Sequence, residues 1–363
     1  VDRILTKESI RGITPYPLGM TAEQVKEKYK LSFVRSLADN ENAYGCSQLV
    51  GRALTEQSGN LSRYPDGSCS AIKRTLGKFL KLPPEYIAIG NGSEEIIRLL
   101  ARAYIHAGDE AIMADLTFPR YKANVVIEGG KAVEVPLKDG VHDLVEMAGR
   151  IGPSTKMIFI CNPNNPSGTA VSKEAIQQFI ASVPAHILIV LDEAYYEYMN
   201  HEKRTEAEKL LTFHDNLAIL RTFSKAYGLA ALRAGYGMMH PSIIAELDKV
   251  REVFNVNALS QAAAIAALKD QYFVQMCAEK NRTERERMRC RIEELGFKCF
   301  ASESNFLFIL GPLAEMLLES GIIVRKFSHK HFPEEAIRLT IGTEEDNDAV
   351  LEAIGQAVSG KRV

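Results

Sequence analysis

The stretch Leu220-Arg-Thr-Phe-Ser-Lys-Ala-Tyr-Gly-Leu-Ala-Ala-Leu-Arg233 decides how the chain is read. Residues 217–220 are a short apolar run of the kind that makes a buried strand. The run breaks at Arg221-Thr-Phe-Ser, and a single lysine, Lys225, follows. Two hydroxyls, Thr222 and Ser224, precede that lysine, and Arg233 stands eight residues beyond it. A lysine at a strand end among anion-binding groups suits a Schiff-base lysine that holds a phosphorylated aldehyde cofactor. A solvated surface lysine would carry the same local sequence, so the neighbouring elements have to decide.

Working outward, apolar runs at 86–90, 111–114, 132–135, 156–161, 187–192 and 217–222 read as strands, with helical stretches between several of them. This alternation predicts an α/β fold with a mainly parallel sheet sandwiched by helices. Beyond residue 259 the alternation lapses, and 260–268 and 281–295 turn helical. The second stretch interleaves Arg and Glu, with Met288, Ile292 and Leu295 on one face, which fits a solvated amphipathic helix better than a nucleic-acid helix. Strands at 305–310, 322–325 and 337–341 with a closing helix predict a smaller α+β domain. Towards the amino end, 10–19 is an irregular proline-containing arm, 20–29 and 70–80 are helical, and 39–45 and 63–67 are turns. The expected division is an amino-terminal arm with part of the small domain over 1–44, a large domain over 45–255 and a small carboxy-terminal domain over 256–363.

Composition narrows the class. The 363 residues exceed one small core, and a formal net charge of −2 gives no reason to expect nucleic acid or an anionic membrane as partner. The six cysteines form no C-x-x-C pair and read as reduced thiols of a cytoplasmic protein rather than a disulfide framework or zinc site. His329 and His331 sit in a charged loop and read as solvated side chains, so no metal is expected. No run is long enough to span a bilayer, and the first residues lack a secretory apolar core. Val1 stands where an initiator methionine is expected, which points to a trimmed amino terminus.

Ligands of parallel sheets bind at the carboxyl ends of strands, and four strand ends here carry chemistry. Gly90-Asn-Gly-Ser93 opens a helix, and its unpaired N–H groups make an anion cradle or an ordinary tight turn. Cys161-Asn-Pro-Asn-Asn-Pro-Ser-Gly-Thr169 is a loop fixed by two prolines and a glycine, with the Asn165 amide aimed inward. Asp192 ends a wholly apolar strand, which is costly unless the carboxylate meets a cation or donors. A protonated pyridine nitrogen is such a cation; capping of the next helix is the alternative. Tyr195 lies three residues on, near the same ring, and Lys225 completes the set from the fourth strand.

These motifs and their order resemble fold-type-I aminotransferases that use pyridoxal 5'-phosphate, and among them the histidinol-phosphate aminotransferase family. The resemblance runs nearly the whole chain, through 39–45, 63–67, 162–168, 192–196, 221–228 and 337–342. It implies Lys225 as the Schiff-base lysine and proton shuttle, Asp192 as partner of the pyridine nitrogen, and Asn165 and Tyr195 as partners of the ring oxygen. Phe118 matches the stacking aromatic. The phosphate would be held by the backbone at Ser93 and Glu94, by Thr222 and Ser224, and by Arg233. Tyr64 matches a tyrosine that reaches the neighbouring subunit's cofactor, which implies a homodimer with shared sites. Arg338 matches the substrate-carboxylate arginine, and Arg325 and Tyr44 match groups at the substrate's far end. Ala43 and Glu94 depart from the family's usual Pro and Asp, and Phe118 stands where the family often has Tyr.

The activity so implied is amino transfer from L-histidinol phosphate to 2-oxoglutarate, giving imidazole acetol phosphate and L-glutamate, in histidine biosynthesis. An aromatic amino acid aminotransferase is the main rival, and a threonine-phosphate decarboxylase shares the framework. A cofactor-binding transcription regulator would need a DNA-binding domain and basic patch that the chain has no room for.

Overall fold

The computed structural model describes residues 4–329 and 335–360, so His331 lies outside the described residues. In chain order the first strands are β1 (Arg35–Ser36), β2 (Ile87–Gly90), β3 (Glu110–Ala114) and β4 (Lys131–Val135). They are followed by β5 (Thr155–Cys161), β6 (Leu188–Asp192), β7 (Leu217–Thr222) and β8 (Gly235–Met239). Seven of them form one sheet in the order β2-β8-β7-β6-β5-β3-β4. The five strands from β7 to β4 are mutually parallel, and β8 runs against both of its neighbours.

The period of two along each strand builds two cores. Ile158, Ile160, Ile189, Leu191 and Ile219 face one side, beneath helices Ser70–Leu80 and Lys173–Ser182. Phe159, Val190, Ala218 and Leu220 face the other, beneath helices Ser93–Tyr104, Arg120–Ile127 and Pro241–Val250. Each large aliphatic side chain so buried contributes roughly 1.5–3 kcal/mol. Burial on both faces explains why these strands read as continuous apolar runs.

Strand β8 has no counterpart among the sequence expectations. Its sequence, Gly235-Tyr-Gly-Met-Met239, carries two glycines, which weaken a strand signal. Gly235 is there for close approach: a Cβ would lie 2.3 Å from the backbone nitrogen of Ser93. The glycine lets the turn after β2 press directly against the sheet.

The remaining strands are β9 (Lys298–Cys299), β10 (Phe306–Leu310), β11 (Ile322–Ile323), β12 (Arg325–Phe327) and β13 (Ala336–Thr340). The single strand expected over 322–325 is therefore two short ones that serve different sheets. Strands β12-β13-β10-β9 form an antiparallel sheet, and β11 pairs in parallel with β1. Leu307, Ile309, Ile337 and Leu339 pack on Met288 and Ile292 of the long helix Gln271–Glu294, with Leu295 beside them, as the amphipathic spacing predicts. Helix Ala258–Lys269 instead buries Ala263, Ala264 and Ala267 in the core of the large sheet.

The amino-terminal segment bridges the two sheets. The Leu37 N–H donates to the Ile323 carbonyl (2.8 Å), and the Leu37 carbonyl accepts from the Thr340 N–H (2.9 Å). The chain then continues through Asp39 and Asn40 to the carboxyl ends of the parallel strands.

Candidate active site

At those strand ends lies an open cavity of about 170 Å³. It is lined by Ser93, Glu94, Phe118, Asn165, Asp192, Tyr195, Thr222, Ser224, Lys225, Arg233 and Arg338, which the sequence singles out. Tyr16, Asp39, Asn40, Gly92, Cys161 and Ala194 complete the lining.

Lys225 follows β7 on a turn closed by the Gly228 N–H donating to the Lys225 carbonyl at 2.9 Å. Gly228 has φ +73°, and a Cβ there would lie 1.9 Å from the Gly45 carbonyl oxygen, so only glycine fits. The Lys225 Nζ points into the cavity and donates to the Asp39 carbonyl at 2.9 Å. Desolvation and the nearby Arg338 guanidinium lower its pKa to about 8, against opposing pulls from Asp39 and Glu41. A lysine so depressed has a sizeable neutral fraction near physiological pH, which a nucleophile or base requires.

Asp192 ends β6 on the same face as Val190, and it is buried. Its Oδ2 accepts from the Tyr121 hydroxyl (2.7 Å) and its Oδ1 from the Ala194 N–H (3.1 Å). Burial pushes its pKa up to about 6, and these two donors pull against that. Among the described residues no cationic side chain forms an ion pair with it. A helix cap, the alternative for this residue, is not what it makes, because a short 3-10 turn (Tyr196–Tyr198) follows and Asp192 caps no helix.

A hydrogen-bonded chain crosses the floor between the two sheets. The Arg338 Nη1 donates to Asn165 Oδ1 (2.7 Å), and the Asn165 amide nitrogen donates to the Tyr195 hydroxyl (3.3 Å). The Asn40 amide donates to the same hydroxyl at 2.9 Å. Arg338 is buried, its Nη2 donates to the Ala38 carbonyl, and its Nε has no hydrogen-bond partner among the described residues.

The cradle is equally local in origin. Helix Ser93–Tyr104 starts after Gly92, at φ +78°, with no side chain capping it. The first amides of a helix have no partner within it, and here they face the cavity rim. A Cβ on Gly92 would lie 2.9 Å from Arg233 Nη2, so the glycine makes room for the guanidinium. The Arg233 Nη1 reaches the Ser224 hydroxyl at 3.5 Å, and the Ser224 N–H donates to Thr222 Oγ1 at 3.0 Å. The Glu94 carboxylate turns away to Arg120 Nε at 2.5 Å, leaving only its backbone to the cradle.

Three singled-out residues stand apart from the lining. Tyr64 is 83% exposed and stacks on Phe254 with ring centroids 4.7 Å apart. Tyr44 lies beneath Lys280, whose Nζ is 5.0 Å from the ring centroid. Arg325 lies over the Tyr16 ring at 4.8 Å, and Tyr16 lines both the cavity and the depression that holds Arg325. Conversely, Tyr121, Asn40 and Tyr16 were not singled out as site residues. Asn40 sits inside the recognisable stretch 39–45, which flags it, whereas nothing in the local sequence flags Tyr121.

This fold and this site define the class. The chain belongs to the aminotransferase class I and II family, whose profile matches residues 34–354. It is 42% identical over 362 residues to the histidinol-phosphate aminotransferase of Geobacillus thermodenitrificans (strain NG80-2), covering 98% of this chain and 99% of that protein. It is 43% identical over 356 residues to that of Bacillus subtilis (strain 168), covering 96% and 99%. Among solved structures, the histidinol-phosphate aminotransferase from Sinorhizobium meliloti in complex with pyridoxal-5'-phosphate matches with a TM-score of 0.91 at 26% identity, covering 98% of each chain.

Proposed function

We propose that this protein is a pyridoxal-5'-phosphate-dependent aminotransferase that moves an amino group between L-histidinol phosphate and 2-oxoglutarate in histidine biosynthesis. The observation that carries the reading is one cavity in which a depressed lysine, a buried carboxylate without a cation among the described residues and a helix start without a side-chain cap converge. Full-length relatives bearing the histidinol-phosphate aminotransferase name support the choice of substrates.

The residues fit the cofactor. Asp192, buried and lacking a cationic partner among the described residues, suits a protonated ring nitrogen. The Ser93 and Glu94 amides, Thr222, Ser224 and Arg233 would hold a phosphate, since a helix start and a guanidinium both favour an anion. Phe118 would stack on the ring, and Asn165 and Tyr195 would hold its oxygen. When bound, the cofactor supplies an electron-withdrawing ring that accepts the electrons left by a departing α-proton.

The chain's own groups do the rest. Lys225 Nζ is the base that takes the substrate's α-proton and returns it. Arg338 presents a planar guanidinium for the keto acid's carboxylate, a bidentate task that lysine does poorly. Arg325 and Tyr44 serve the far end of the substrate. Tyr64, exposed on its own subunit, reaches the site of a second copy, so the working unit is a homodimer with shared sites. No helix among the described residues is long and apolar enough to cross a membrane, and the reduced-thiol reading of the cysteines supports a cytoplasmic location. The division into 1–44, 45–255 and 256–363 belongs to the same proposal, and the burial of Ala263, Ala264 and Ala267 in the core of the large sheet supports counting helix Ala258–Lys269 with the large domain.

A single-turnover half-reaction tests the reading. Cofactor-loaded protein should lose its visible absorbance rapidly with histidinol phosphate and slowly with phenylalanine. Equal loss with both would make it a dual histidinol-phosphate and aromatic enzyme; loss with phenylalanine alone would overturn the substrate assignment.

A further inference from the structure

Asp192 does not stand alone at the bottom of the cavity. Tyr121, on the first turn of helix Arg120–Ile127, is wholly buried and brings its hydroxyl to 2.7 Å from Asp192 Oδ2. Its ring stacks on Phe159 of β5 with centroids 4.7 Å apart and planes 12° from parallel. Its edge meets Phe118 at 5.5 Å and 80°, and its N–H donates to the Phe118 carbonyl at 3.2 Å. One turn of chain therefore links the aromatic that lines the cavity to the carboxylate beneath it. The other Asp192 oxygen is taken by the Ala194 N–H, so the carboxylate is held from two sides and cannot rotate without losing a bond.

We propose that Tyr121 is a positioning residue for Asp192. Its hydroxyl orients the carboxylate and keeps it ionised, so that a proton between Asp192 and a ring nitrogen stays on the nitrogen. The proposal rests on the cofactor reading of the cavity. The physical reason is a contest for one proton. A donor to a carboxylate stabilises the charged form and weakens its hold on a further proton. Burial works the other way, pushing Asp192 up to about 6. Removing the hydroxyl leaves burial unopposed on that side, and the proton moves from nitrogen to carboxylate. The ring then withdraws electrons less well. The phenol itself stays neutral, since burial and the neighbouring Asp192 both raise its pKa well above the ordinary value.

The test uses ring-nitrogen-15N-labelled pyridoxal phosphate bound to the wild-type protein and to the Tyr121→Phe and Phe159→Leu variants, at one near-neutral pH. Tyr121→Phe keeps the ring stack and removes only the hydroxyl. Its bound nitrogen signal should move from the protonated towards the neutral pyridine position, with cofactor affinity reduced about tenfold. Phe159→Leu loosens the stack and leaves the hydroxyl, so it should lower the melting temperature without moving the signal. An unmoved signal in Tyr121→Phe overturns the proposal. So does an equal movement in Phe159→Leu, which would reduce Tyr121 to packing. Failure of the wild-type protein to bind the labelled cofactor would instead overturn the cofactor reading, and this inference with it.

Discussion

Asp192 and Glu193 are consecutive carboxylates at the end of β6, both buried, yet their surroundings differ in kind. Asp192 turns to the cavity and, among the described residues, meets only neutral donors. Glu193 turns to the other side of the sheet and pairs with Arg221 at 2.8 Å, which also holds Glu208 at 2.9 Å. The Arg221 guanidinium lies 3.5 Å over the Tyr196 ring, and it stays charged because the two carboxylates surround it. Burial raises both acids, Asp192 to about 6 and Glu193 to about 7, with Arg221 opposing the rise at Glu193. One carboxylate is balanced from within the chain; the other is left to be balanced by a ligand. The alternation of a strand puts stability on one face and chemistry on the other.

The largest way to break this contrast is Lys225→Ala, which removes the reactive group of the cavity while touching nothing on the opposite face. The half-reaction with histidinol phosphate should slow by at least about 10⁴-fold. Appreciable transamination by this variant would end the assignment of Lys225. Next comes Arg221→Met, which strands Glu193 and Glu208. A loss of about 3–5 kcal/mol is expected in urea unfolding at pH near 8. The loss should be smaller near pH 5, because a buried acid with a raised pKa is neutral in the folded state there. A deficit that grows on acidification would contradict the pairing.

Asp192→Asn probes the ligand-facing side in the opposite direction. Because the folded-state pKa of Asp192 lies above its ordinary value, ionisation costs stability as pH rises through about 6. The cofactor-free variant should be more stable than wild type by about 1–2 kcal/mol near pH 8, and the gain should fade towards pH 4. It should also be nearly inactive. Destabilisation at high pH would show that Asp192 has a cation after all. Smallest of all is Arg291→Ala on the exposed face of the long helix, where Arg291 pairs with Glu294. That change should stay within about 0.5 kcal/mol in the same unfolding assay, since exposed pairs are worth little. A loss comparable to that of Arg221→Met would mean that burial is not what separates the two arginines.

The strand ends were legible in the sequence because each apolar run stops abruptly in a polar group. Lys225, Asp192, Asn165 and the Ser93 turn all announce themselves this way, and all line one cavity. Strand β8 was not legible, since glycines needed for close packing erase the β signal. Tyr121 escaped for a related reason: it projects from a helix of mixed composition, and only the folded sheet brings it to Asp192. Tyr16 comes from an arm without periodicity, so its distance from the site in sequence hides its nearness in space, whereas Asn40 is flagged only by the recognisable stretch 39–45 around it. Tyr64, Tyr44 and Arg325 were legible only through resemblance, and the single chain sets them outside the lining of the cavity.

The pairing of the amino-terminal segment with β11 and β13 has a consequence for biogenesis. Asn40 meets Thr340 across 300 residues of sequence. At about 5–20 residues per second, the ribosome needs roughly 15–60 s to supply that partner. During this interval the first strand has no sheet to join, and Asp39 and Asn40 cannot take their places beside Lys225. The parallel sheet can assemble as it emerges, but the catalytic cavity closes only after nearly the whole chain has been translated. Nascent chains released early would carry the lysine and its anion cradle without Arg338 and without the contacts that hold Ala38 and Asn40 beside them.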